Sequence, residues 1–198
     1  MDIEPYDVTK AYLDMAYAII DSEISVADDL NAKSSQHKND ADLARQSCAY
    51  LYSYMAITAF VSVHLFEQWE KEDSPFREWN SDFSSFERLM RIRYRELKDG
   101  LKALCDIVQV PRMHEQSPKV WQHLIEFVKD YRDFFVHPTP KKFSEVISSA
   151  KARPMRFPVD TAVEAIGYFY DKNDQQRPAW LEDRRDLQIP EIVVASSV

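Results

Sequence analysis

Glycine is nearly missing from this 198-residue chain: Gly100 and Gly167 are the only two, and each lies inside a helix-like pattern. A glycine-rich phosphate loop or a dinucleotide-binding turn needs several glycines close together, so both are excluded. Cysteine is as scarce. Cys48 and Cys105 stand apart in apolar helical stretches, which predicts buried thiols in a reducing compartment rather than a disulfide. A leader is not expected either, since MDIEPYDVTK is acidic and carries no apolar core. The longest apolar run, MAITAFVSVHLF at residues 55–66, is too short to span a bilayer and holds His64. The expectation is a soluble, cytoplasmic protein with no membrane partner.

What is present is a globular composition, 45% hydrophobic and 13% aromatic, which a disordered chain does not have. The length suits one domain with a real core. The net charge of −8 is unevenly spread. Residues 1–29 hold eight carboxylates (Asp2, Glu4, Asp7, Asp14, Asp21, Glu23, Asp28, Asp29) against Lys10. Residues 132–156 hold six bases (Arg132, Lys141, Lys142, Lys151, Arg153, Arg156) against two acids. A polyanionic partner is therefore confined to part of the surface rather than excluded.

Apolar residues recur at helical spacing almost throughout. Tyr12, Ala16, Ile19, Val26 and Leu30 mark a first helix over 6–32. KSSQHKND (33–40) reads as a polar linker, with Asn39 or Asp40 capping a second helix over 41–71. That helix is apolar nearly all round, through Leu51, Met55, Phe60 and Phe66, and belongs in the middle of a bundle. Turn residues at 72–82 precede a third helix over 83–108, whose apolar row includes Phe86, Met90, Tyr94, Leu97, Leu101 and Leu104. Opposite lies a basic row, Arg88, Arg91, Arg95, Lys98 and Lys102, which is either a solvated face or a stripe facing phosphates.

After a second break at 110–118, Ser117 as cap and Pro118 in the first turn open a fourth helix. A short helical piece at 142–151 and a fifth helix over 158–174, with Val163, Ile166 and Phe169/Tyr170 on one side, follow. The proline-punctuated remainder reads as an arm with one extended piece, IVVAS at 192–196. Strand alternation is absent elsewhere. The fold class is therefore all-α: an antiparallel bundle of about five helices as one domain over 1–174, with an irregular C-terminal arm at 175–198.

The fourth helix closes on YRDFFVHPTP (131–140), where the chemistry concentrates. On a wheel of roughly 100° per residue, Arg132 falls at the centre of the apolar stripe of Trp121, Ile125, Val128 and Phe135. A buried guanidinium left alone there would cost several kcal/mol. It requires a carboxylate partner, an aqueous groove or an anionic ligand. Pro138 pushes the preceding residue out of the α region, so the helix is expected to stop near Val136. His137 then swings off the end, either as a cap at the negative pole or back toward the groove of Arg132. A metal site has less support. None of the five histidines has a Glu three residues before it, and HEQSP (114–118) lacks the second His of a zinc protease, so no metal and no cofactor is expected. Neither cysteine sits in the electropositive, accessible setting a nucleophile needs.

The run Arg132-Asp133-Phe134-Phe135-Val136-His137 resembles the R-x4-6-H signature of HEPN domains, with Asp133 at a position where the family often has Asn, Asp or His. The resemblance covers residues 41–137 loosely and the motif closely. It implies an all-α bundle that dimerises and, in many members, a metal-independent endoribonuclease of toxin–antitoxin or antiviral systems. By the same resemblance, His137 transfers protons to and from a ribose hydroxyl, and Arg132 binds the phosphate in a fork. Asp133 orients one of them or the partner subunit. A second copy of the chain would supply the missing second acid or base. Lys141 and Lys142, with Arg91 and Arg95, are the candidate RNA-binding residues. The alternative is a HEPN-like scaffold without chemistry, docking an antitoxin, a nucleotidyltransferase-type protein encoded beside it or a nucleotide through the acidic first helix or the arm.

Overall fold

Between Ser34 and Glu70 the chain contains neither glycine nor proline, and it forms one helix of 37 residues, about 55 Å long. In this computed structural model the described residues are 5–21, 34–137 and 143–182, and every regular element among them is a helix. In chain order these are α1 Pro5–Asp21, α2 Ser34–Glu70, α3 Pro75–Trp79, α4 Phe86–Ile92, α5 Leu97–Ile107 and α6 Met113–Gln116. Next comes α7, a continuous helix of three parts: Pro118–Gln122, a π-helical His123–Val128 and Lys129–Val136. Then follow α8 Phe143–Lys151, α9 Phe157–Lys172 and α10 Ala179–Glu182.

The central helix is α2. Ala49, Tyr50, Ser53, Ala56, Ile57, Phe60, Val61 and Leu65 are buried along it, and α1, α5, α7 and α9 pack around it. By length and composition Ala41–Glu70 is long and apolar enough to cross a bilayer, a stretch that the run at 55–66 understates. Arg45 ties α1 to α2: its guanidinium donates to the carbonyls of Ile19 (3.2 Å) and Ile20, at the C-terminal end of α1 where a cation is favoured. Gly100 is the point where α5 meets α2. A Cβ there would lie 2.8 Å from Val61 Cγ1, so glycine serves close packing and no phosphate.

Four expectations are corrected. Residues 34–40 are helical, not a linker: with neither Gly nor Pro, a polar run does not by itself break a helix. The expected helix over 83–108 is two helices, interrupted at 93–96. The cause is tertiary. Arg93 Nη1 donates to Asn80 Oδ1 (2.6 Å) and to the Trp79 carbonyl (2.9 Å), and Tyr94 Oη reaches Asn80 Oδ1 at 3.5 Å. Asn80 is itself buried, with its amide on the Phe76 carbonyl. The two supposed breaks hold α3, capped by the Ser74 hydroxyl on the Phe76 N–H, and α6; Phe76 and Met113 anchor them in the core. The arm is not irregular throughout, since α10 buries Leu181. Val26, Leu30 and the IVVAS piece lie outside the described residues.

Candidate functional site

The site is built on α7. Ser117 caps the helix and Pro118 occupies its first turn, although the Ser117 side chain accepts no N–H and the Trp121 N–H goes to the Ser117 carbonyl (3.0 Å). At the other end α7 stops at Val136. His137 has left the α region, at φ −131° and ψ 71°, and its N–H donates to the Asp133 carbonyl at 2.8 Å. Between these ends lies the π-helical segment, which no wheel anticipates. A π turn takes about one residue more than an α turn, which rotates everything beyond it by roughly 100°. The buried row is Leu124, Val128, Tyr131 and Phe134, and Arg132 stands at its edge rather than at its centre.

Arg132 keeps 22% of its side chain exposed and is held from two directions. Its guanidinium carbon lies 3.8 Å from the centre of the Tyr54 ring on α2, and Nη1 meets Asp133 Oδ1 at 2.7 Å. Its Nε is buried without a hydrogen-bond partner among the described residues. Asp133 is shared, because Oδ2 accepts from Lys129 Nζ at 3.0 Å. Lys129 in turn approaches Glu96 (3.7 Å) and Asp130 (4.0 Å). Burial alone would lower the Lys129 pKa, but the Asp133 hydrogen bond and the three carboxylates outweigh it and raise it. The ammonium therefore stays charged and holds Asp133 in place.

Arg132, Asp133 and His137 line one cavity of about 830 Å³, together with Tyr54, Arg95, Glu96, Lys129, Glu145 and Ser149. Of the other candidates, Arg95 is brought in, because the break at 93–96 lifts it off the basic row. Arg91 is exposed on α4 and does not line the cavity. Lys141 and Lys142 lie outside the described residues. The cavity's ionisable lining comprises Arg95, Lys129, Arg132 and His137 against five carboxylates, Glu96, Glu126, Asp130, Asp133 and Glu145.

Below the cavity, Arg153 Nη1 donates to the Tyr131 hydroxyl (2.9 Å), the Ser149 hydroxyl (2.9 Å) and the Ser149 carbonyl (2.8 Å). Its guanidinium carbon lies 3.8 Å from the Phe127 ring centre, and Tyr131 Oη also pairs with Ser149 Oγ. Tyr50 packs edge-on against Tyr131 with its hydroxyl buried and unpaired among the described residues; burial first, and Tyr131 next, push that phenol up against the pull of Arg153. Gln46 Nε2 on the Ala150 carbonyl (2.6 Å) fixes α8 to α2 beside this network.

No family model, curated protein or solved structure matches this chain. The cavity is accordingly read from its own residues. Among those described, no group of three or more His, Cys, Asp and Glu converges as metal ligands. Of the two cysteines, Cys105 is buried and Cys48 half-buried; burial raises both thiols. The residues that sequence reasoning missed are Tyr54, Lys129, Glu96, Ser149 and Arg153. Lys129 and Asp133 were discoverable as an i, i+4 pair on one helix. Tyr54 and Arg153 lie far from Arg132 in sequence and carry no local signal.

Proposed function

We propose that this chain is a metal-independent endoribonuclease of HEPN type, acting in the cytoplasm in a toxin–antitoxin or antiviral role. The observation that carries the reading is that Arg132 and His137 line one large cavity, with Tyr54 and Asp133 holding the guanidinium. His137 takes the proton of a ribose 2′-hydroxyl, and the freed oxygen attacks the adjacent phosphorus. The bond to the 5′-oxygen breaks, and that oxygen leaves with a proton from a second acid. The products carry a 2′,3′-cyclic phosphate and a 5′-hydroxyl. Arg132 holds the phosphate and offsets the charge growing on its oxygens, where a preorganised donor is most effective. A two-fold dimer supplies the second acid as the other copy's His137. The bundle in this reading consists of α1, α2, α5, α7 and α9, packed antiparallel, and an antitoxin or a protein encoded beside it is the partner.

The test is cleavage of single-stranded RNA in EDTA. Wild-type protein is expected to leave cyclic phosphate ends, and His137→Ala to lose about a hundredfold or more of the rate with an unchanged circular dichroism spectrum. Cutting that requires added metal, or that survives in His137→Ala, overturns the assignment. A second reading is favoured by the cavity's excess of carboxylates, which repel a polyanion: a HEPN-like scaffold that binds a partner protein or nucleotide without chemistry. Dimers that bind a neighbouring gene's product and leave RNA intact would support it.

A further inference from the structure

The protein holds most of its arginines by its own groups. Of the eleven among the described residues, seven meet a carboxylate, a carbonyl or an aromatic ring, as Arg45, Arg93, Arg132 and Arg153 do. The other four, Arg77, Arg88, Arg91 and Arg95, are exposed, and their side chains take no hydrogen bond, ion pair or ring among the described residues. Three of these four belong to one short stretch. Residues 88–95, RLMRIRYR, hold four arginines and no acid in a chain whose net charge is −8. Arg88 and Arg91 stand three residues apart on α4 and share a flank, turned away from the buried Leu89. The nearest acids do not neutralise them. Glu87, four residues before Arg91, is exposed and forms no ion pair among the described residues, and Glu96 turns to Lys129 at 3.7 Å. Like charges at this spacing repel along a helix, and no group of the fold offsets them.

The row also leads somewhere. α4 ends at Ile92, and the turn that Asn80 holds through Arg93 carries the chain to the large cavity, where Arg95 joins Arg132 and His137 in the lining. The cavity itself has five carboxylates among its ionisable groups, so attraction for a polyanion has to come from beside it. The bases beside it are all arginines, whose planar forks match the oxygens of a phosphate better than the point charge of a lysine does. Ile92, at 57% exposure and four residues after Arg88, adds an apolar contact on the same flank.

We propose that Arg88, Arg91 and Arg95 form a track for single-stranded RNA outside the cavity, holding the strand's phosphates beside the bond to be cut. The choice of RNA rests on the nuclease reading of the Arg132 cavity, but binding along the track requires no chemistry. Each guanidinium neutralises a phosphate and releases its counterion, so affinity falls as salt rises. Contacts of this kind position a strand without reading its sequence.

Fluorescence anisotropy with a labelled oligouridylate tests the track on the full chain carrying His137→Ala, so that nothing is cut. The logarithm of the affinity is expected to fall linearly with that of salt between about 50 and 200 mM. Adding Arg88→Ala and Arg91→Ala together is expected to make that slope shallower by about 1.4, which is two phosphate contacts at about 0.7 each, and to weaken binding about tenfold. The melting temperature is expected to hold, because both positions are exposed and alanine favours a helix. Lys172→Ala removes a charge from an exposed position on α9 and is expected to change neither slope nor affinity. Absence of RNA binding, an unaltered slope in the double variant, or an equal loss in Lys172→Ala overturns the proposal. Tighter binding of polyglutamate than of RNA overturns it too, and makes an acidic protein the partner. RNA bound through these arginines but left intact by the wild-type chain would keep the track and end the nuclease reading.

Discussion

Arg153 contributes to three kinds of contact at once. One nitrogen serves two hydroxyls and a carbonyl, and the flat guanidinium covers Phe127. Methionine at this position would keep much of the apolar contact and remove every donor. Arg153→Met is therefore expected to destabilise the fold by about 2 kcal/mol, read from the urea midpoint, because Tyr131 and Ser149 lose a charged partner. An unchanged midpoint would mean that water replaces the arginine without loss. At this scale the sequence was partly legible. The Arg132–His137 spacing, the stop before Pro138 and the need of Arg132 for a carboxylate, a wet groove or an anion were all readable from neighbouring residues. Asp133 was among the candidates, but its choice of Arg132 was open, and the ring beneath the guanidinium was not legible at all, because Tyr54 reaches Arg132 only through the packing of α2 on α7.

Among the elements, the contact of α5 with α2 is the most constrained. Alanine is the better helix former by about 1 kcal/mol, yet Gly100→Ala would press a methyl against Val61 at 2.8 Å. Val61 is short, branched and buried, so it cannot swing clear. The expected outcome is a net loss of about 1–2 kcal/mol in chemical denaturation, with a gain instead if the helices part freely. The interruption of the long third helix and the π segment of α7 belong to this scale as well. Both are invisible to periodicity, which assumes one turn length from end to end. The first comes from a buried Asn80 that claims Arg93 and Tyr94, and the second rotates the last part of α7, Arg132 included, by about a quarter-turn against the positions before it.

Over the whole molecule, acid sensitivity should follow from the histidines. Burial depresses His64, and burial with Lys119 and Arg153 depresses His123 against the opposing Glu164, both below the ordinary imidazole value of 6.5. As pH falls through 6.5 the unfolded chain takes up protons that the folded one refuses, so stability is complete above that value and declines toward the folded pKa values. The melting temperature is expected to drop between about pH 7 and pH 5, and His64→Gln should flatten part of that slope. An identical slope in the variant would remove His64 from the account.

The helical class, the burial of α2 and the grouping of Arg132, Asp133 and His137 at one helix end were determined by the sequence alone. They depend on periodicity, on proline and on neighbours within a few residues, which are local properties. Only the tertiary structure decided where the long helices break, that Arg95 rather than Arg91 reaches the large cavity, and that Tyr54 lies under the Arg132 guanidinium. Those outcomes are set by hydrogen bonds and close contacts between residues far apart in the chain, and no local pattern of side chains encodes them.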